Sequence, residues 1–511
     1  MESVMSKKIV DLFIIGGGIN GAGIARDATG RGLSVMMCEK DDLAEGTSSR
    51  SGKLVHGGLR YLEYYEFRLV REALIEREIL LNAAPHIIWP MRFVLPHNPS
   101  DRPAWFIRLG LFLYDHLGGR KKLPGTRTLD LLRDPEGAPI LDSFHKGFEY
   151  SDCWVDDARL VTLNAVDAAE RGATILTRTR CVAAERKAGA WEITLQNTQT
   201  GEQHRVRAKA LVNASGPWVL DIINDVTRSH SKRSVRLVKG SHLIVPKFWE
   251  GQQAYLMQNH DKRVIFINPY EGDKALIGTT DIPWEGDADS VEADNREQQY
   301  LIDAVNRYFK VKLTAADVIT RFSGVRPLFD DGKGNPSAVT RDYVFELDDQ
   351  QQLPLLHVFG GKITTFRKLA EHALQKLGPF FPQMGADWTR SAPLPGGEIP
   401  GADFESYLQT LKEQYAWLPT PLRKHYARLY GARLPQVLGG AKQVADLGRH
   451  FGGLLYEVEV RYLVEKEWAQ QPEDVLWRRT KHRLHLSDAQ QQAFSDWFTD
   501  TFTVQPCAQA S

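Results

Sequence analysis

Four glycines stand in the segment 16–21 (GGGING), directly after the apolar run 9–15. Glycines at the end of a buried strand let the backbone approach a pyrophosphate, and a helix that begins there directs its positive end at the phosphates. A second apolar run, 33–38, ends at Glu39, whose carboxylate can accept hydrogen bonds from two ribose hydroxyls. A strand, a glycine turn, a helix, a second strand and an acid in this order are typical of a dinucleotide-binding βαβ unit.

Three further segments carry groups suited to the same cofactor. The hydroxyl-rich segment 47–53 follows Glu39 after one short loop and is expected to return over the pyrophosphate. An apolar strand, 210–214, runs into a small-residue turn, and a Gly-Gly turn at 360–361 leads through Lys362 into a helix. A helix end and an ammonium group there would stabilise the negative charge of a reduced flavin. The predicted cofactor-binding residues are Gly16, Gly18, Asn20, Gly21, Glu39, Thr47, Ser48, Ser49, Ser215, Gly216, Gly361 and Thr364.

Basic residues recur beside glycines and aromatic residues. They are Arg60, which precedes Tyr61, and Arg326, Arg341 and Lys362. Each alone is typical of a solvated surface cation, but gathered in one pocket they would bind a phosphate group. His56 and His242 also stand next to glycines, and an imidazole there could accept the proton of an alcohol. The sequence leaves open which of the two histidines is the base.

The bulk composition excludes several classes of protein. The chain has 511 residues, and its 64 basic and 64 acidic residues give a net charge of zero, so no nucleic-acid partner is expected. The four cysteines lack metal-ligand or disulfide spacing, so we expect no metal site and a reducing compartment. We find no signal peptide and no run of about 18 apolar residues that could cross a membrane. A cytoplasmic protein, or one attached to a membrane surface, is therefore expected.

The order of the predicted elements indicates an interleaved architecture. The expected fold class is α/β plus α: an FAD-binding Rossmann-like domain interleaved with an antiparallel-sheet substrate domain, followed by a C-terminal helical cap domain. This interleaving is typical of FAD proteins of the glutathione-reductase and amino-acid-oxidase type. The FAD part is expected mainly from 9–80, 150–218 and 355–378, and the substrate sheet, including a strand at 343–347, mainly from 219–354. Proline and glycine at 392–401 predict domains of 1–392 and 393–511.

Several elements are predicted individually from apolar spacing and from capping residues. Asp156 is the expected N-cap of a helix that runs to residue 171. Two separate strands are expected at 205–208 and 210–214, and a C-terminal helix at 453–470.

Taken together, these motifs resemble the FAD-dependent glycerol-3-phosphate dehydrogenases, in particular the bacterial aerobic enzymes. The resemblance covers nearly the whole chain and rests on the segments 16–23, 53–62, 150–152, 323–327, 360–362, 462–464 and 476–480, of which 56–62 is highly specific. It implies FAD as the cofactor and oxidation of sn-glycerol 3-phosphate to dihydroxyacetone phosphate, with electrons passed to a membrane quinone. It places phosphate-binding groups at Arg60, Arg326, Arg341 and Lys362, with Tyr61 beside them.

The chemistry of such a reaction assigns expected roles. Hydride would leave C2 of the substrate for flavin N5 while His56 or His242 takes the hydroxyl proton, and Arg326 or Lys362 would stabilise the developing alkoxide. The catalytic candidates are therefore His56, His242 and Arg326. Three alternatives stay open: an oxidase that passes electrons to oxygen, an amine oxidase of the same fold, and a non-enzymatic nucleotide-binding or membrane-scaffold protein.

A quinone acceptor lies in a bilayer, so the resemblance also implies membrane contact. In the expected helix 105–117 an apolar, aromatic face recurs at helical spacing, formed by Trp105, Phe106, Leu109, Phe112 and Leu113 and flanked by Arg102, Arg108, Arg120, Lys121 and Lys122. This pattern is typical of a helix that lies in a membrane surface, although a core helix is the alternative. The segment 477–483 could contribute. We expect the cytoplasmic face of the inner membrane as the location, and a homodimer as a further assembly.

Overall fold

The structure, a computed structural model, describes residues 9–98, 102–259, 261–330 and 342–502. Its strands are β1 (Ile9–Ile15), β2 (Val35–Cys38), β3 (Leu54–Val55), β4 (Ile88–Pro96), β5 (Arg127–Asp130), β6 (Lys146–Val155), β7 (Thr174–Leu176), β8 (Thr179–Lys187), β9 (Ala190–Asn197), β10 (Gln203–Asn213), β11 (Val235–Pro246), β12 (Ala254–Gln258), β13 (Val264–Tyr270), β14 (Lys274–Gly278), β15 (Ile282–Pro283), β16 (Thr320–Phe329), β17 (Tyr343–Asp348), β18 (Leu355–Gly360), β19 (His450–Gly452) and β20 (Leu455–Tyr456). Its longer α-helices are α1 (Ile19–Gly30), α2 (Phe67–Ala83), α3 (Ala104–Leu117), α4 (Asp157–Glu170), α5 (Asn295–Asn306), α6 (Phe366–Leu377), α7 (Phe404–Gln414), α8 (Thr420–Tyr430), α9 (Leu434–Leu438), α10 (Glu457–Glu467) and α11 (Asp488–Phe502). Among these described residues, no helix combines the length and the apolar composition needed to cross a bilayer.

The first sheet carries the predicted nucleotide unit. Its strand order is β17-β18-β10-β1-β2-β7, with β9 and β8 beside the first half of β10. The pairs β1–β2, β1–β10 and β10–β18 are parallel. Helices α1, α4 and α6 pack together against one face. The helices cover one face of β1, and residues of β8 and β9 pack against its other face. Burial on both faces is consistent with the almost continuous apolar sequence of β1.

The second sheet is mostly antiparallel and supplies the other wall of the site. It runs β15-β11-β14-β13-β12-β4-β6-β3, with β16 beside β11 and β5 beside β6. Helix α5 covers it and begins with a capping box in which Asp294 and Glu297 satisfy each other's backbone N–H groups. The sheet therefore takes strands from the segment 54–155 as well as from the expected 219–354.

Most of the predicted elements are confirmed, and three are corrected. Asp156 is the N-cap of α4, accepting a hydrogen bond from the Arg159 N–H. The strand predicted at 343–347 belongs to the first sheet, because β17 pairs antiparallel with β18; strand alternation alone does not specify which sheet a strand joins. The strands predicted at 205–208 and 210–214 form one strand, β10, in which Lys209 reaches solvent and pairs with Asp11.

The third correction concerns the C-terminal part. The helix predicted at 453–470 begins only at Glu457, because Gly452 and Gly453 both have positive φ and turn a short hairpin of β19 and β20. The remaining helices from α7 to α11 enclose their own apolar core. The domain boundary at 392/393 stays a prediction.

A buried network of ion pairs joins the C-terminal part to the loop after β2. The carboxylate of Asp42 accepts hydrogen bonds from Arg478 Nε at 2.6 Å and from both terminal nitrogens of Arg479 at 2.7 and 2.8 Å. Arg178 and Arg478 also bind Asp474. Burial alone would raise the pKa of Asp42, but Arg479 and Arg478 outweigh it and hold the pKa below its ordinary value. The basic residues of 477–483 are thus largely inside the protein, so the idea that this segment touches a membrane is not supported.

Replacing Asp42 tests this docking. Asp42→Ala leaves two buried guanidinium groups without their shared carboxylate, so we expect a loss of about 3–5 kcal/mol in the free energy of unfolding. The control is Asp142→Ala, which removes an exposed pair with Lys310 and should cost about 0–1 kcal/mol. The measurement is urea unfolding of the flavin-loaded protein. If the two variants unfolded at the same urea concentration, the ion pairs of Asp42 would contribute no more to stability than an exposed pair, contrary to this prediction.

Candidate active site

A cavity of about 720 Å³ brings together most of the predicted site residues. Its walls come from the turns after β1, β10 and β18 of the first sheet and from β11, β14 and β16 of the second. The predicted residues that line it are Gly16, Gly18, Asn20, Glu39, Thr47, Ser48, His56, Arg60, Tyr61, Ser215, Gly216, His242, Arg326, Gly361, Lys362 and Thr364. The structure therefore gathers the two histidines and three of the four predicted basic residues in the same cavity as the glycine turn, which the sequence alone could not establish.

The glycine turn has the geometry that a pyrophosphate requires. Gly16 has φ +112°, and a Cβ atom there would lie 2.6 Å from the carbonyl oxygen of Ala214. A Cβ at Gly18 would lie 3.1 Å from Ser48 Oγ, on the cavity side. The same hydroxyl accepts a hydrogen bond from the Ile19 N–H at 3.0 Å, at the first residue of α1. The positive end of α1 thus faces the cavity.

Two predicted residues lie behind this surface, and one lies outside the described residues. A Cβ at Gly21 would lie 1.9 Å from the carbonyl oxygen of Gly16, so this glycine lets the turn close on itself and does not line the cavity. Ser49 is buried; its carbonyl accepts a hydrogen bond from Lys53 Nζ, which also pairs with Asp157 at 2.7 Å. These contacts hold the loop in place. Arg341 lies among the residues that the structure does not describe.

Glu39 is fixed at the edge of the cavity by backbone groups. Its carboxylate accepts hydrogen bonds from the Gly17 N–H at 2.7 Å and from the Asp41 N–H at 3.0 Å. Burial raises the pKa of Glu39 to about 7, although these two hydrogen bonds oppose the shift. A carboxylate with this pKa changes its charge near neutral pH, and donor groups of a ligand would favour the ionised form.

The Gly-Gly turn after β18 closes the opposite side. Gly360 and Gly361 have φ +75° and +103°, and the Gly360 carbonyl accepts a hydrogen bond from Asn20 Nδ2 at 3.2 Å. Asn20 Oδ1 is buried and makes no hydrogen bond to the described residues, which leaves an acceptor available to a ligand. Lys362 Nζ lies 3.8 Å from the centre of the Tyr61 ring, a cation–π contact that fixes the ammonium group at the cavity wall.

The two histidines occupy different environments. His56 lines the cavity, and its backbone N–H donates to Thr364 Oγ1 at 3.2 Å. His242 is 2% exposed and stacks on Phe322, and burial, aided by Arg326 and Lys53, lowers its pKa to about 3. His242 is therefore neutral at physiological pH and a weak proton acceptor.

Arg326 is held by residues that the sequence analysis missed. Its guanidinium donates to Asp281 at 3.0 Å and to the Thr279 hydroxyl at 2.8 Å. Gly240 provides the space, since a Cβ there would lie 2.3 Å from the guanidinium. Neither Thr279 nor Asp281 stands in a recognisable motif. They lie between β14 and β15, and both of these strands and β16 pair with β11, which brings Thr279 and Asp281 to Arg326. No signal in the sequence could have found them.

These residues fit an FAD molecule. A Cβ at Gly18 would stand beside Ser48 Oγ on the cavity side, Asn20 Oδ1 is a buried acceptor without a hydrogen bond to the described residues, and Glu39 presents a carboxylate at the end of β2. Lys362 and the helix start after it would face the electron-rich edge of a flavin. We propose that Glu39 binds the ribose, and Gly16, Gly18 and Ser48 the pyrophosphate.

Comparison with known proteins decides the family. Residues 11–361 match the family of FAD dependent oxidoreductases, and residues 388–497 match the C-terminal domain of alpha-glycerophosphate oxidase. The chain is an FAD-dependent oxidoreductase. A crystal structure of glycerol-3-phosphate dehydrogenase from Bacillus halodurans, complexed with FAD, aligns with a TM-score of 0.75 at 27% identity, covering 100% of this chain and 98% of that one.

Two curated relatives are similar along almost their entire lengths. D-erythritol 1-phosphate dehydrogenase of Brucella abortus is 71% identical over 97% of this chain and 98% of its own. Aerobic glycerol-3-phosphate dehydrogenase of Escherichia coli is 50% identical over 98% of this chain and 99% of its own. The flavoenzyme family and the C-terminal domain inferred from the motifs are confirmed by these matches.

The raised pKa of Glu39 predicts how FAD affinity depends on pH. Ribose hydroxyls that donate to Glu39 favour the carboxylate, so FAD binding to the flavin-free protein should strengthen as the pH rises through about 7. From pH 6 to pH 8 we expect a roughly tenfold gain, which follows from the ionised fraction. Fluorescence titration with FAD measures it. Glu39→Gln should bind more weakly and lose the pH dependence, whereas Glu63→Gln, a carboxylate elsewhere on the cavity wall, should keep it.

Proposed function

We propose that this flavoenzyme oxidises the hydroxyl group next to the phosphorylated carbon of a short polyol phosphate. The observation that carries this proposal is the convergence, in one cavity, of the dinucleotide turn, the imidazole of His56 and the cations Arg326 and Lys362. A phosphate held by fixed cations orients the neighbouring carbon without contact at the reacting atom. A cluster of several cations suits a dianionic phosphate better than the single carboxylate of an amine-oxidase substrate.

The histidines take different parts in this proposal. When bound, FAD accepts the hydride from the substrate carbon. His56, at the cavity wall, takes the hydroxyl proton. His242, with a pKa of about 3, is too weak a base for that step, and its buried Nδ1 makes no hydrogen bond to the described residues, so it positions a substrate oxygen instead. Arg326, oriented by Asp281 and Thr279, and Lys362, with Arg60 nearby, hold the phosphate.

Two substrates fit this chemistry. Glycerol 3-phosphate is the substrate that the family resemblance implies, and it gives its name to the relative with 50% identity. D-erythritol 1-phosphate has the same phosphorylated end and one more carbon, and it gives its name to the relative with 71% identity. The higher identity favours D-erythritol 1-phosphate as the better substrate, with glycerol 3-phosphate as the second candidate.

The proposed electron acceptor is a quinone in the membrane, reached from the cytoplasmic face. The support is an exposed apolar face of α3 that adjoins the cavity. Trp105 is 69% exposed and Phe112 50% exposed, whereas Leu111 and Tyr114 on the other face are buried. Phe106, Leu109 and Leu113 of the exposed face also line the cavity. A helix with exposed aromatic residues and adjacent basic residues suits a membrane surface, and here it would bring the cavity entrance to the bilayer. The homodimer stays a prediction.

A substrate panel with a phosphate-site variant tests the substrate class. Bleaching of the flavin absorbance should be fastest with D-erythritol 1-phosphate, slower with glycerol 3-phosphate, and very slow with erythritol or glycerol. Loss of one charge-assisted contact costs about 1.5–3 kcal/mol, so Arg326→Met should lower kcat/KM for the phosphates roughly 10- to 150-fold and leave the unphosphorylated polyols unchanged.

Arg321→Met is the matched control, because Arg321 lies on the same strand but is exposed and bonded to Asn295 and Gln298. It should behave like the wild type. If Arg326→Met lowered kcat/KM equally for phosphorylated and unphosphorylated polyols, Arg326 would serve flavin binding or the stability of the fold and not phosphate binding.

Vesicle experiments test the membrane role of α3. Trp105→Glu/Phe112→Glu places two charges on the exposed apolar face and should abolish co-sedimentation with anionic vesicles and turnover with a quinone embedded in them. Turnover with a water-soluble acceptor should be unchanged. Val311→Glu/Ile319→Glu, two exposed apolar residues outside α3, is the control. The acceptor proposal would be refuted if Trp105→Glu/Phe112→Glu bound the vesicles as well as the control variant does. It would also be refuted if the wild type produced stoichiometric peroxide in air.

A further inference from the structure

A cluster of two histidines and one glutamate lies in the C-terminal part, away from the residues that line the FAD cavity. His425 comes from α8, Glu459 from the first turn of α10, and His482 from the short turn that follows Lys481. One nitrogen of each histidine and a carboxylate oxygen of Glu459 all lie within 4.8 Å of one another. The three residues are separated by 33 and 22 residues along the chain, so no local motif predicts them.

The polar atoms of this cluster are incompletely satisfied. Glu459 and His482 are buried, and neither ring nitrogen of His482 nor Glu459 Oε2 has a hydrogen-bond partner among the described residues. Glu459 Oε1 accepts a hydrogen bond from the Tyr430 hydroxyl at 2.8 Å and lies 3.0 Å from His425 Nε2. His482 Nε2 lies 3.8 Å from Glu459 Oε2. Buried polar groups normally find a partner, so these atoms indicate that one further group belongs between them.

The charge of the cluster points to a cation. Other buried carboxylates of this chain pair with arginines, as Glu467 does with Arg159 and Asp42 with Arg479. Within the part of the chain that the structure describes, Glu459 forms ion pairs with histidines only. Since no arginine or lysine of the described residues pairs with this buried carboxylate, a metal ion would supply the positive charge.

We propose that His425, Glu459 and His482 bind a divalent transition-metal ion, with Zn²⁺ as the first candidate. Two imidazole nitrogens and one carboxylate oxygen are a ligand set used for zinc and for non-haem iron. Tetrahedral zinc with bonds of about 2.1 Å holds its ligand atoms about 3.4 Å apart. The distance from His425 Nε2 to Glu459 Oε1 is 3.0 Å, and that from His482 Nε2 to the other carboxylate oxygen, Oε2, is 3.8 Å, so the distances lie on either side of that value. The Tyr430 hydroxyl would orient the carboxylate as a supporting group.

The consequence of binding is a brace between three segments of the C-terminal part. His482 lies within four residues of Arg478, Arg479 and Lys481, whose side chains bind Asp42 and Asp156 in the FAD-binding part. A metal ion that fixes His482 to α8 and α10 would therefore also fix the segment that docks against the loop after Glu39. His425 is partly exposed, which gives an ion a path to the site.

Metal analysis of the flavin-loaded, tag-free full chain tests this proposal. The protein is treated with a chelator, dialysed against Zn²⁺, and its metal content is measured by mass spectrometry. We expect one Zn²⁺ per chain and a higher Tm than for the chelator-treated protein. His482→Gln and Glu459→Gln should weaken binding more than about 100-fold, beyond the 10- to 100-fold cost of losing a supporting residue.

His485→Gln is the matched control. His485 lies three residues from His482 but pairs with Glu271, and its replacement should leave one Zn²⁺ per chain. Co²⁺ provides a readout that does not depend on the variants, since nitrogen ligation produces absorption bands beyond those of the flavin. Unchanged Zn²⁺ content in His482→Gln and Glu459→Gln, or a wild type that binds neither Zn²⁺ nor Co²⁺, would overturn the proposal and leave a hydrogen-bonded cluster.

Discussion

The parallel pairing of β1, β10 and β18 is the constraint on which the rest of the structure depends. The register joins Ile15 to Asn213 and Asn213 to His357, so the three strands end at the same edge of the sheet. Three turns that are each more than one hundred residues apart in the chain therefore meet there. The contact between Gly16 and Ala214 is so close that only a glycine fits the first turn. Without this pairing the glycine turn would not lie against the turn after β10, and the Gly-Gly turn that carries Lys362 would not close the other side of the cavity.

The antiparallel sheet meets this edge through specific polar contacts. The Thr47 hydroxyl donates to the Val325 carbonyl, and Arg50 donates to the Ser323 carbonyl at 3.2 Å, so the loop after β2 is tied to β16. The same strand carries Arg326. The loop is fixed from its other side through Asp42 by Arg478 and Arg479. One loop thus connects the cofactor turn, the substrate wall and the C-terminal part, and breaking its buried ion pairs should affect all three.

The sequence predicted local features well and long-range contacts poorly. Glycine turns, the cap at Asp156 and the apolar face of α3 are determined by residues that are neighbours in the chain, so their patterns are readable. The convergence of His56, Arg326 and Lys362 could be suspected only through a family resemblance. Thr279 and Asp281 and the cluster of His425, Glu459 and His482 were missed, because strand register and helix packing bring these residues together. The mistaken sheet for β17 has the same cause, since alternation specifies a strand but not its partner.

If the proposed function holds, selectivity between a three-carbon and a four-carbon substrate cannot come from the proposed phosphate-binding cations, because both substrates present the same phosphorylated end. It must come from residues at the other end of the bound substrate, where the longer polyol adds one carbon and one hydroxyl. A pocket that merely has room for an added group discriminates weakly, whereas a pocket that hydrogen-bonds the added hydroxyl rejects the shorter substrate strongly, since its own polar groups are then left unpaired. In the proposed function, Arg326 and Lys362 would therefore select for a phosphate, and polar groups near the far end of the substrate would set the preference for chain length.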